Sequence, residues 1–255
     1  MLFATDLDRT LIYSKTFIEG VDCISCIEVK ADGTEVAYMT NSAIRKLKTL
    51  MAHGLQIIPV TTRSVTQYKR IKLSQNFEYA ITTNGGTILH NGDIFQPWED
   101  YIQKNHVLSE QQYQDMAKLI TQLPTIVKPA TIVDGKFVFA KTDDVVSCNT
   151  HLSQVVNRDI WHYTIQGRKV YIIPKGITKG NALNYLVKHL GITQTIAAGD
   201  GKLDVDFLKV ANYKITPLHG EIYQNQLLKD TQTYCVGQGI TAADDILALV
   251  EKLLT

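Results

Sequence analysis

The run Leu2-Phe3-Ala4-Thr5, followed at once by Asp6-Leu7-Asp8-Arg9-Thr10, decides how this chain is read. The first four residues suit a short buried strand, and the two aspartates end it, because a sheet interior does not accept unpaired carboxylates. The same figure recurs downstream. Leu55-Gln56-Ile57-Ile58-Pro59-Val60 is a second apolar strand, ending at Thr61-Thr62-Arg63, and Tyr79-Ala80-Ile81-Thr82 is a third, ending at Asn84-Gly85-Gly86. Thr195-Ile196-Ala197-Ala198 then runs into Gly199-Asp200-Gly201-Lys202-Leu203-Asp204. Helices lie between them. Asn41 or Ser42 is placed to cap one that stops at Gly54, Ser64 caps another, and a third starts at Thr178. Strand alternating with helix predicts an α/β fold, with a Rossmann-like parallel sheet joined by right-handed crossovers.

The rhythm breaks between about Thr87 and Pro174. Asn91-Gly92 and Asp134-Gly135 each mark a hairpin, and Ser109 with Gln112 forms a capping box ahead of a helix. Strands and helices without parallel crossovers predict a separate α+β module. The expected organisation is a core made of residues 1–86 and 175–255, with residues 87–174 inserted as a cap. Trp98 and Trp161 both fall in the inserted part, where they are expected to pack its core. Ahead of the first core helix, Ile24 to Glu28 and Glu35 to Met39 flank Asp32-Gly33 as a further hairpin. A capped helix from Thr241 closes the chain.

Composition narrows the function. Lys and Arg number 26 against 25 Asp and Glu, so no net field favours a nucleic-acid backbone or an anionic membrane. A small molecule is the expected partner, and nothing in the sequence specifies an oligomeric state. No apolar run approaches the roughly 20 residues that span a bilayer. With the first acidic motif already at Asp6, a cytoplasmic location is expected. Four scattered cysteines fit reduced thiols, and the Cys23/Cys26 pair has no partner pair at metal-ligand spacing.

The chemistry follows from the strand ends. In a parallel sheet all strand C-termini lie along one edge, which is where open α/β folds bind ligands. Asp6, Asp8, Asp200 and Asp204 would converge there, and crowded carboxylates need a cation. Oxygen-only donors point to Mg2+. Lys179 sits in the first turn of a helix, where the macrodipole disfavours a cation, so an anion should accompany it. An ammonium, a Thr61 hydroxyl and free helix-terminal amides together suit a phosphate.

In order and spacing, Asp6-Leu7-Asp8-Arg9-Thr10, Thr61-Thr62-Arg63, Lys179-Gly180 and Gly199-Asp200-Gly201 through Asp204 resemble the four motifs of the haloacid dehalogenase superfamily of phosphatases. The inserted module resembles the C2-type cap of the Cof-like and sucrose-phosphate phosphatase branch, as also found in phosphomannomutases. The resemblance implies Asp6 as nucleophile, Asp8 as general acid and base, and Thr61 and Lys179 as holders of the phosphoryl oxygens. It also implies Asp6, Asp8 (through its carbonyl) and Asp200 around Mg2+, with Asp204 either ligating through water or orienting Lys179. Thr10, Thr62, Arg63, Asn84 and Gly85 are expected on the substrate side. Arg9 and Thr62 stand where glycine is common in such motifs, and Leu203 where asparagine is common.

These expectations describe a Mg-dependent phosphatase acting on a small phosphorylated metabolite, a sugar phosphate above all. A phosphomutase and a non-catalytic binding module on the same fold are the competing readings. In this architecture the cap covers the leaving group, and Lys141, His151, Arg158 and Arg168 are the polar cap residues available to contact it.

Overall fold

A computed structural model describes residues 1–106 and 108–254. It divides into two compact units, Met1–Phe95 with Lys179–Thr255, and Gln96–Thr178. The boundary therefore lies later than the sequence reading placed it. Strand β1 is Leu2–Thr5, β2 and β3 are Ile24–Val29 and Glu35–Thr40, helix α1 is Asn41–Ala52, β4 is Gln56–Pro59 and α2 is Val65–Lys69. Next come β5 (Tyr79–Thr82), β6 (Thr87–His90) and β7 (Asp93–Ile94). β6 pairs antiparallel with β5 from Thr82↔Thr87 to Tyr79↔His90, which ties the Asn91-Gly92 hairpin to the core unit and moves the boundary to Phe95.

The inserted unit holds α3 (Gln96–Asn105), α4 (Glu110–Thr121), β8 (Ile126–Val133), β9 (Phe137–Thr142), α5 (Val145–Val155), β10 (Trp161–Gln166) and β11 (Lys169–Pro174). Its four strands form an antiparallel sheet in the order β10-β11-β9-β8. Val138, Ala140, Val170 and Ile172 pack against Tyr113, Met116 and Ile120 of α4 and Cys148 and Leu152 of α5. Trp161 joins this cluster with its ring edge-on to Tyr113, and Trp98 is also buried. The Ser109 to Gln112 capping box is present. Arg168 pairs with Asp143, and Arg158 lies over the Tyr163 ring.

The chain returns to the core with α6 (Lys179–His189), β12 (Thr195–Ala198), α7 (Val205–Leu208), β13 (Tyr213–Pro217), α8 (Glu221–Gln224), β14 (Thr233–Val236) and α9 (Ala242–Leu253). The main sheet is wholly parallel, in the order β14-β13-β12-β1-β4. A parallel bridge from Val60 to Ile81 links its β4 side to β5. Phe3, Ile57, Ile196 and Ile215 meet Leu47 and Leu50 of α1 and Ile246, Leu247 and Val250 of α9 in one buried cluster. Each such side chain contributes roughly 1.5–3 kcal/mol of burial free energy.

Two caps differ from the sequence reading. Thr40 caps α1, accepting from the Ala43 N–H, in place of Asn41 or Ser42. The Thr241 hydroxyl makes no cap bond to α9 and donates to the Gln238 carbonyl. No helix among the described residues is long and apolar enough to cross a membrane.

Candidate active site

Register, more than proximity in sequence, builds the site. β1 lies between β12 and β4 with Thr5 opposite both Ala198 and Pro59, so the three strands end level with one another. The residues that follow each end, Asp6, Gly199-Asp200 and Val60-Thr61, are thereby placed side by side at the C-terminal edge. Hydrogen bonds from Asp6 N to the Ala198 carbonyl (2.8 Å) and from Val60 N to the Thr5 carbonyl (2.7 Å) lock that alignment.

After Asp6 the chain leaves strand geometry. The amides of Thr10, Leu11 and Ile12 all turn back to the Leu7 carbonyl, and Arg9 takes a positive φ of 66°. That left-handed conformation is the physical reason glycine suits this position. Here a non-glycine residue is held by several contacts. Arg9 Nη2 donates to the His219 carbonyl (2.9 Å), His219 Nε2 bonds the Arg9 carbonyl (2.9 Å), and His219 Nδ1 accepts from the Gly239 N–H (3.1 Å). The Gly239 bond leaves the ring proton on Nε2. Burial lowers the His219 pKa, and the Arg9 charge adds to this while the bond to the Arg9 carbonyl opposes it.

At the centre lies Lys179, almost completely buried. Its ammonium donates to Asp6 Oδ1 at 2.7 Å and to Asp204 Oδ1 at 2.6 Å. The other Asp204 oxygen accepts from the amides of Asp200 (3.1 Å) and Gly201 (2.8 Å). Asp204 therefore orients Lys179 and shapes the loop after β12. Asp206, two residues on, accepts from the Gly180 N–H at 2.9 Å and so anchors the start of α6 that carries Lys179. The acidic side chain offsets the unfavourable placement of a lysine at a helix N-terminus.

Carboxylate oxygens of Asp6, Asp200 and Asp204 all lie within 4.8 Å of one another. One ammonium shared between two carboxylates leaves a surplus of negative charge. Burial, reinforced by Asp204, raises the Asp6 pKa well above the carboxylate range despite Lys179, and the same two causes push Asp200 up to about 7. For Lys179 burial alone would lower the pKa, yet Asp204 and Asp6 override it and hold the ammonium charged. Arg9 Nε lies 3.4 Å from Asp200 Oδ2, but half of that side chain is in solvent, so it compensates weakly. Three buried carboxylates with hard oxygen donors and under-compensated charge fit a divalent ion such as Mg2+.

The other expected residues separate into two groups. Thr10 is fully buried with its hydroxyl 3.5 Å from Asp6 Oδ2, and the buried Thr61 hydroxyl accepts from the Arg63 N–H at 3.2 Å. Asn84 and Gly85 are buried at the end of β5 with φ of 56° and 92°, and the Asn84 N–H donates to the Thr61 carbonyl at 3.0 Å. Asn84 Oδ1 is buried with no hydrogen-bond partner among the described residues. Thr62 is partly exposed. The Asp8 carboxylate stands outside the three-carboxylate cluster. Arg63 grips it through both oxygens, Nε to Oδ2 and Nη2 to Oδ1, each at 2.7 Å. Glu28, Arg70 and His219 escape a reading by motif. The only sequence signal for Glu28 is an acid in a hairpin strand that otherwise alternates.

Residues 101–216 match the family model of the haloacid dehalogenase-like hydrolases. The sucrose-phosphatase of Synechocystis sp. PCC6803, solved with sucrose and phosphate, is 17% identical with a TM-score of 0.71, the match covering 98% of each chain. The subclass IIB sugar phosphatase BT4131 is 14% identical with a TM-score of 0.60, covering 99% of this chain and 98% of the other. A haloacid dehalogenase-like hydrolase from B. subtilis is 13% identical with a TM-score of 0.63, covering 100% and 99%. At such identities the likeness establishes the fold. No curated protein matches the chain in sequence.

Proposed function

We propose that this protein is a Mg-dependent phosphatase that hydrolyses a small phosphorylated metabolite through an aspartyl-phosphate on Asp6. The observation that carries the reading is the buried Lys179 ammonium shared by Asp6 and Asp204, beside Asp200. Lys179 holds Asp6 Oδ1 at 2.7 Å, and Oδ2, which accepts a long 3.5 Å bond from the Thr10 hydroxyl, is the oxygen assigned to attack phosphorus. In the first half-reaction the Asp6 oxygen bonds to phosphorus, the bond to the leaving oxygen breaks, and Asp8 supplies that oxygen with a proton. In the second, water attacks phosphorus, gives its proton to Asp8, and frees Asp6 and inorganic phosphate. Lys179 and the Thr61 hydroxyl hold the phosphoryl oxygens, whose charge grows at the transition state.

Asp6 and Asp200, with the Asp8 carbonyl, would hold Mg2+. Bound there, the ion neutralises the nucleophile and the phosphoryl group. A sugar phosphate is the favoured substrate class, since two of the similar structures are a sucrose-phosphatase and a sugar phosphatase. Phosphate release should be measured over a panel of sugar and polyol phosphates, with and without Mg2+. Activity is expected to need the metal and to vanish in Asp6→Asn. Full turnover in that variant would exclude Asp6 as nucleophile.

A further inference from the structure

The hairpin β2–β3 carries a carboxylate that the mechanism above does not use. Glu28 has no solvent exposure, although it stands beside the equally buried Ile27 in a strand where successive side chains should face opposite ways. A bulge at Glu28 explains this, since the pairing with β3 shifts register on both sides of it. The bulge turns Glu28 inward. There Arg63 Nη1 donates to Oε2 at 2.6 Å, while Arg70 donates to Oε1 through Nε at 3.0 Å and Nη2 at 2.9 Å. The hairpin is also pinned by its backbone, with Lys72 N bonding the Ile27 carbonyl at 2.8 Å.

Arg63 is thus held from two sides. Its Nη1 faces Glu28 and its Nε and Nη2 face Asp8, so the direction of the fork toward Asp8 is set by the buried acid behind it. Charges in the group balance, two arginines against two carboxylates, which is the condition for burying an ionised Glu28. We infer that Glu28 is a positioning residue for proton transfer: it fixes Arg63, and Arg63 fixes Asp8. The inference rests on the acid and base role proposed for Asp8. It makes the hairpin between the first two core strands a working part of the site.

Single-turnover release of the leaving group, measured with an alkyl phosphate and with p-nitrophenyl phosphate, tests it. Nitrophenolate departs without a proton, so a defect in proton delivery slows the alkyl ester selectively. Glu28→Gln is expected to slow the alkyl ester about 10-fold and the aryl ester less than about 3-fold, and to slow Asp8→Asn no further in the double variant. Equal slowing of both esters, full additivity with Asp8→Asn, or no slowing at all would overturn the inference. Arg63→Lys, which keeps the charge but loses the fork, is expected to show the same selectivity and carries the test if Glu28→Gln does not fold. An Asp8→Asn protein with wild-type rates would instead remove the underlying role of Asp8, and the inference with it.

Discussion

Lys179 and Asp204, 25 positions apart in sequence and both shielded from solvent, are joined by a 2.6 Å hydrogen bond. The same Asp204 carboxylate caps the amides of Asp200 and Gly201, so one side chain fixes both the ammonium and the loop that carries the next acid. Asp204→Ala leaves a buried ammonium with one partner fewer and two buried amides with none. The expected loss is about 3–5 kcal/mol, read as a lower urea midpoint. Asp204→Asn, which keeps an acceptor oxygen, should lose less. An unchanged midpoint in the alanine variant would show that the bond contributes nothing to the fold.

The surplus charge at the site makes stability depend on pH and metal together. Asp200 is raised from 3.8 to about 7 by burial and then by Asp204, and Asp6 moves the same way. Between those values the folded protein binds more protons than the unfolded chain, so the metal-free protein loses stability as pH rises from about 4 to about 7. On the proposed reading, Mg2+ bound between these carboxylates would displace those protons. Its addition should therefore raise Tm more at pH 8 than at pH 5, as followed by differential scanning calorimetry. Equal shifts at both pH values would contradict the linkage.

Gly180 is required by close approach and not by an unusual dihedral angle. A Cβ there would lie 2.9 Å from both the backbone carbon and the carbonyl oxygen of Asp206, and backbone cannot swing aside as a side-chain end does. Gly180→Ala should destabilise by about 1–3 kcal/mol and shift Lys179 from its two partners. Thermal unfolding and kcat report the two effects separately. A stable variant with reduced kcat would place the whole effect on Lys179, whereas a variant unchanged in both would show that α6 and the Asp206 turn separate easily.

Much was legible in the chain itself, because the relevant signals are local. Apolar runs stopping at Asp6, Thr61 and Asp200 mark strand ends, and a parallel sheet must bring such ends to one edge, which β1, β4 and β12 do in level register. The capping boxes at Ser64 and Ser109 are likewise written in neighbouring residues. What tertiary structure alone decided are relationships whose partners are far apart: Glu28 with Arg63 and Arg70, and His219 with Arg9. A buried charge is tolerated only where a counter-charge is brought to it, and no local pattern records which distant residue will arrive. The domain boundary shows the same limit, since the turn at Asn91-Gly92 declares a hairpin, but only pairing with Tyr79–Thr82 assigns that hairpin to the core.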